Sequence, residues 1–359
     1  NGTLKLEGHL FIPSLSEGGG DNFSIPLNGA LWLNGPDVRV DVTNTENGTS
    51  NQAITLFGKL RVDQGYLDCQ NGAGIIFRGT GEIEINGGTM RMSQFRPSSY
   101  STNPKTSYKQ TGGTFIVDGA GETNNVKAAF CFPFATNSFI MTGGTINVNY
   151  ATPEGAMIIA TNESNNIVTG GVINININNN NPYYLNSSAP FYNLNILRTT
   201  GTTTTVQIHD IYTCGLAGTP SSFTTPKRSL TVLNDFTIQT SNNPIFDANG
   251  EDLYIGGNLT IQNNTSLING NNTIHFDGSE ASQSININGN IVDNINNLSL
   301  ENKSSLTIYN NNINSPIIID GNLTINSGCT LIDNGRTLQV AGNIYNSGTH
   351  FKPVSGAGS

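Results

Sequence analysis

Residues 170–181 read GGVINININNNN, a run in which aliphatic residues alternate with asparagine and no charge occurs. Strict alternation marks a strand with one buried and one wet face. Val172, Ile173, Ile175 and Ile177 can supply the buried side, and Asn174, Asn176 and Asn178 the wet one. Asparagine is depleted in ordinary strands and enriched in turns. The fold must therefore be one that accepts asparagine inside strands.

The same run recurs along the chain. NGGTMRM (86–92), TGGTFIV (111–117), TGGTINV (142–148) and TGGVINI (169–175) each place a Gly-Gly corner before a strand, at spacings of 25, 31 and 27. Earlier, residues 58–85 pack four short strands between glycine turns. In the last third, NDFTI, GGNLTI and DGNLTI put Phe236, Ile238, Leu259, Ile261, Leu323 and Ile325 on the inward face, and GNIYNSG adds Ile344. Phe236 to Leu259 is 23 residues and Leu323 to Ile344 is 21, while Leu259 to Leu323 is 64, close to three such steps. Short strands, Gly or Asn corners and a fixed short period describe a solenoid whose coils stack about 4.8 Å apart.

The expected fold is all-β: a right-handed parallel β-helix with coils of about 21–27 residues and loop insertions, the hand following from the general preference of parallel crossovers. About 12 to 15 coils fit the chain. The alternative is an array of β-sandwich domains, but GNLTI repeats at one coil rather than at a sandwich length near about 100 residues. The domain reading is one continuous β-helix over 1–359, with looser coils in 1–229, regular coils in 230–350 and a linker or tail at 351–359. Stacked coils lay like on like, so asparagine amides can bond along a column, as in cross-β ladders. Asparagine also accepts the left-handed backbone of a tight corner. The clusters at 179–181 and 269–272 read as corners.

Four segments break the pattern, at 93–109, 119–137, 178–193 and 214–229, and the prolines concentrate there. They read as loops leaving the coils, which is where a rigid scaffold usually carries function. Tyr100, Tyr108, Tyr183, Tyr184, Phe191 and Tyr192 are expected to give them exposed aromatic surface. Tyr183, Tyr184, Phe191 and Tyr192 are the ligand-binding candidates, because rings beside amides suit sugars; the blander reading has them covering the side of the helix.

Charged residues are only 11% of the chain, against roughly 25% in typical soluble domains. The net charge is −9, which argues against a nucleic-acid partner or an anionic membrane surface. No run of 18 apolar residues occurs, so no membrane insertion is expected. The chain begins at Asn1 and reads as a processed product or a segment of something longer. Cys69, Cys131, Cys214 and Cys329 are far apart; Cys69 and Cys329 are expected as buried free thiols, with one long-range disulfide among the others left open.

The search for chemistry returns little. Nine of the 16 basic residues lie between Arg39 and Lys127. Alternation points Lys59, Arg61, Glu82, Glu84 and Arg91 outward, with Leu60, Val62, Ile83, Ile85, Met90 and Met92 inward. A mixed-sign ladder on a solvent-facing sheet is the simpler reading, and a ligand patch or carboxylate pair the sharper one. Glycoside hydrolysis needs two carboxylates flanking the bond, but no adjacent aspartates, Gly-His-Gly turn or Arg-x-Lys strand accompany it. His9, His209, His275 and His350 stand isolated in the sequence, and no HExxH occurs. No cofactor is expected; calcium is the weak alternative, with Asp247, Asn249 and Asp252 of DANGED as ligands, though the EF-hand glycine spacing is absent.

The TGGTFIV and GNLTI coils, with Asn-rich corners and few charges, resemble the stalk regions of very large Bacteroidota cell-surface proteins, adhesins and filaments often exported by the type IX route. The resemblance is compositional and covers most of the chain, which ends in HFKPVSGAGS without the C-terminal sorting domain of such proteins. It implies a non-enzymatic, extracellular, structural or adhesive role as a rigid segment of a larger protein. Cell-surface glycans or proteins would be its partners. Neither terminus shows a capping helix, so neighbouring domains or subunits, in a homo-oligomer or filament, are expected to cover both ends. The competing readings are a carbohydrate-active lyase or hydrolase and a subunit of a self-assembling fibre or hook.

Overall fold

The computed structural model describes residues 2–12, 23–42, 53–69, 74–98, 105–119, 127–212, 224–279, 281–310 and 316–352. The chain is all-β, with almost no helix, and its parallel sheets form a β-solenoid of about 11 turns. The shortfall from 12 to 15 has a plain cause: several coils exceed the expected length. Tyr108 pairs with Phe139, 31 residues on, and Leu31 with Leu60, 29 residues on. The parallel register also removes the sandwich alternative, whose sheets are antiparallel. Among the described strands, the antiparallel pair is Ile211–Tyr212 with Thr224–Thr225. The chain divides into two compact units, one of 1–189, 201–203 and 210–226, the other of 190–200, 204–209 and 227–359.

In the first unit a coil is three short strands, as in Glu82–Ile85, Thr89–Met92 and Phe95–Pro97. Register is kept from coil to coil: Leu4, Leu31, Leu60, Ile83, Tyr108 and Phe139 form one inward column. Further along, the first two strands of a coil fuse into Ser138–Val148 and Asn166–Ile177, with a register shift at Thr142. Rings fill the interior here. Tyr108 lies flat on Phe139 at 5.2 Å, and Phe95 meets Phe77 and Phe130 at 5.0 Å.

The third strand of several coils sits where the sequence suggested insertions. Phe95–Pro97, Phe130–Phe132 and Tyr183–Ser187 are ladder strands, and Tyr108 is fully buried in Ser107–Gln110. Tyr100 lies outside the described residues. The reason is that the middle strands of this sheet, from Gly74–Phe77 to Met157–Ile159, are buried on both faces, so their sequence shows no alternation. The outward residues Ile76, Arg96, Cys131, Ile158 and Asn186 are all buried. Ala128, Cys131 and Ile158, with Ala160 and Tyr184 against them, make a small second core outside the solenoid. Asn186 Nδ2 donates to the carbonyls of Thr225 and Pro226 at 3.2 and 2.9 Å, which ties the Thr224–Thr225 strand to this face.

The opening run behaves as read, with one exception. Ile173, Ile175 and Ile177 are buried, but Val172 is half-exposed and continues the outward column of Thr145. Asn174 Nδ2 donates to Asn147 Oδ1 at 2.7 Å, an amide ladder between coils. Asn179 and Asn181 both donate to the Ala151 carbonyl, closing the corner onto the coil before it.

In the second unit the coils are shorter and cleaner. Phe236, Leu259 and Ile285 form one column, and Leu298, Leu323 and Ile344 another. Phe236, Ile238, Leu259, Ile261, Leu323 and Ile325 are buried. Ile344 keeps the inward register yet is 60% exposed, because no described strand pairs with its other edge. Cys69 and Cys329 are free and buried, and Cys131 is disulfide-bonded.

Candidate functional site

The first unit carries the charge ladder on its outer face. Register lines up Lys5, Trp32, Arg61, Glu84 and Lys109 in one outward column, with Lys59 and Glu82 beside it. Lys59 Nζ reaches Glu82 at 3.0 Å and Glu84 at 2.5 Å, and Lys109 reaches Glu84 at 3.3 Å. Burial opposes the Glu84 charge, but hydrogen bonds from Lys59, Asn86 and Lys109 outweigh it and hold the carboxyl down at about 2. Trp32 lies between Lys5 and Arg61, 5.9 and 5.0 Å from its ring, and donates to Asp63 Oδ2 at 2.8 Å. Both ring faces are thus taken by cations of its own chain. In the adjoining strands Arg39 pairs with Asp41 at 2.7 Å and lies over Tyr66, while Arg91 pairs with Asp118 at 2.6 Å. The charges satisfy one another, as a ladder should.

The aromatic candidates divide. Tyr183 and Phe191 are 1% and 0% exposed, so the display expected of them is not found. Tyr183 Oη accepts from the Asn178 amide at 2.8 Å and donates to the Asn149 carbonyl at 3.4 Å. Burial pushes its hydroxyl up to about 12. Tyr184 is half-buried against the outer core, and Tyr192 is half-buried. What remains of this candidate is the outer edges of those two rings.

At DANGED the oxygens are taken up by the corner itself. Asp247 accepts from the Asn249 amide at 2.7 Å and from Gln207 at 2.6 Å, and Asp252 accepts from the Thr273 amide at 2.7 Å. Asn249 sits at φ 52, and its side chain donates to the Ile208 carbonyl. No group of three or more His, Cys, Asp or Glu suited to a metal ion occurs among the described residues.

Sequence reasoning missed the histidine partners, because coil stacking joins residues 17 to 32 apart. His9 meets Asp41 at 2.6 Å and His350 meets Asp333 at 3.0 Å. His275 Nδ1 meets Glu301 at 2.7 Å, its Nε2 lies 3.8 Å from Asp252, and its ring lies flat on Tyr254 at 4.3 Å. Burial first, and then the Glu301 charge, raise the nearby Asp277 carboxyl. The only usable signal was the period itself, which sets His275 one coil from both Tyr254 and Ser299.

The strands Leu259–Ile261, Ser282–Ile287, Ser305–Asn310, Thr330–Ile332 and Thr349–Phe351 make a different face. Their outward positions are hydroxyl, amide, aromatic or aliphatic, and none is charged. No family model, curated protein or solved structure matches the chain.

Proposed function

We propose that the chain is a rigid, non-enzymatic segment of a larger extracellular adhesin or surface filament, of the Bacteroidota stalk kind that its coils resemble. The observation that carries this reading is the unbroken inward column from Leu4 to Phe139, locked outside by the Lys59–Glu84–Lys109 ladder. A stack in which every coil bonds to the next transmits force along its axis. The disulfide at Cys131 supports an oxidising compartment, in keeping with a secreted or surface location. Pulling single molecules from their two ends tests the reading. The coils should resist well beyond the force that opens an isolated helical bundle; stretching at low force without discrete steps would sink it.

A second reading, a carbohydrate-active enzyme, is favoured by one observation. Asp277 and Glu301 occupy neighbouring coils beside His275, and Asp277 is held toward its protonated form. Glycoside cleavage uses a pair of carboxyl groups, one of them with a raised pKa as the acid. Incubation with pectins, alginates and glycosaminoglycans separates the readings: the segment should release no sugar. Release that disappears in Asp277→Asn and Glu301→Gln would favour the enzyme.

A further inference from the structure

We infer that the uncharged face of the second unit is a docking surface for a neutral, linear polysaccharide, an inference that rests on the adhesive reading above. Register arranges its outward residues as a grid. Ser282, Ser305, Thr330 and Thr349 form one column, Ser284, Thr307, Ile332 and Phe351 the next, and Thr260, Asn286 and Tyr309 the third. Columns repeat every ~4.8 Å between strands, and neighbours on one strand stand roughly 6.6 Å apart.

The chemistry of the grid selects its partner. A chain with a net charge of −9 leaves this face neutral over five successive strands, while the outer face of the first unit is crowded with ions. A neutral face gains nothing from an ionic partner and incurs no desolvation of charge against an uncharged one. Protein-binding patches concentrate aromatic rings, Met and Arg over a largely apolar core. The grid holds two rings, Tyr309 and Phe351, but no Met or Arg, and the rest of it is mostly hydroxyl and amide. It offers hydroxyls at a fixed pitch, which a polymer of repeating hydroxyls can meet at many points, each weak and all in register. Two rings supply the anchors. Tyr309 is 46% exposed and Phe351 51% exposed, on a face otherwise made of short side chains. An exposed ring offers apolar area at little conformational cost to the C–H face of a sugar.

The test incubates the intact chain with microcrystalline cellulose and, separately, with chitin powder, and measures depletion from solution between low and molar salt. Depletion by at least one polymer, insensitive to salt, is expected. Tyr309→Ala should weaken it about tenfold, and Thr307→Lys, which sets an ammonium group in the middle of the grid, should weaken it at least as much. Both positions are surface-facing, so the melting of each variant should match the parent. Glu84→Gln, on the first unit, should bind as the parent does. No depletion, depletion abolished by salt, or depletion unchanged in both variants would overturn the proposal. Inhibition of ice growth without polysaccharide binding would overturn it too, by assigning the grid to another ordered hydroxyl lattice. None of these results touches the mechanical test, so the docking surface can fail while the rigid-segment reading stands.

Discussion

The two units solve the same problem, a sharp corner in every coil, with different residues. In the first unit the corners are glycine pairs: Gly88, Gly113, Gly144 and Gly171 have φ of 62, 63, 77 and 96. Their partners Gly87, Gly112, Gly143 and Gly170 are just as constrained by space, since a Cβ on Gly112 would lie 2.5 Å from the Asn86 carbonyl and one on Gly170 2.4 Å from that of Thr142. Backbone stacks directly on backbone there. In the second unit the left-handed positions fall largely to asparagine: Asn242, Asn243, Asn249, Asn264, Asn294, Asn302 and Asn334 all have φ between 52 and 62. Their side chains help close the corner, as where Asn294 donates to Asp320 and Asn302 to the Asp277 carbonyl. The first unit relies on close approach, the second on side-chain bonding. One outer face differs in parallel: the ladder around Glu84 is ionic in the first unit, whereas the face from Leu259–Ile261 to Thr349–Phe351 is neutral in the second.

The largest effects should come from the interior, where the comparison predicts likeness. Phe95→Ala should cost about 3–5 kcal/mol and Ile261→Ala about 2–5 kcal/mol, because neither stack can collapse around the cavity. Trp32, the only tryptophan, lies in the first unit, so its fluorescence follows that unit while far-UV circular dichroism follows both. A Phe95→Ala variant whose Trp32 transition does not move in denaturant would break the packing account.

The corners should then separate the units. Gly113→Ala combines a strained φ with a Cβ 2.5 Å from the Gly87 carbonyl, and should cost roughly 1–3 kcal/mol or more. Asn264→Gly at φ 59 relieves a left-handed residue, and should change stability by no more than about 1 kcal/mol. Equal losses at the two positions would erase the distinction drawn between glycine and asparagine corners.

Acid sharpens the contrast of faces. Glu84 is held at about 2, below its ordinary 4.5. Its folded pKa is depressed, so its stabilisation is complete above about 4.5 and is lost as pH falls from there toward 2. Glu84→Gln should flatten the acid side of the Trp32 profile by on the order of 2 kcal/mol. An unchanged profile would mean that the ladder contributes no net stability.

The smallest effect is expected at the half-buried rings. Tyr192→Ala should leave melting nearly unchanged, whereas Tyr183→Ala should lower it clearly, since it removes a buried ring and its two hydrogen bonds. A glycan-binding assay on Tyr184→Ala and Tyr192→Ala then decides whether these edges make contact. A Tyr183→Ala variant as stable as the parent would restore the displayed-loop picture.

What the sequence determined by itself is what the period carries. TGGTINV and GNLTI fixed the parallel stacking, the inward columns and the outward ladder, because residues on a strand alternate between faces and coils repeat like on like. The buried free thiol at Cys69 followed from the same alternation, two residues after Leu67, and that at Cys329 from the general burial of free cysteines. What the sequence missed are the strands covered on both faces and set among prolines; Gly74–Phe77, equally covered but framed by glycine turns, was legible. Phe95–Pro97, Phe130–Phe132 and Tyr183–Ser187 read as loops because their outer side is largely buried as well, and alternation vanishes when both faces are dry. Nor could it show which carboxylate each histidine meets. His275 and Glu301 lie 26 residues apart and touch at 2.7 Å. That distance depends on the length of one coil, and the insertions that set coil length follow no rule that local sequence expresses. Alternation is local and legible; register between coils is a property of the closed turn, and only the tertiary structure decides it.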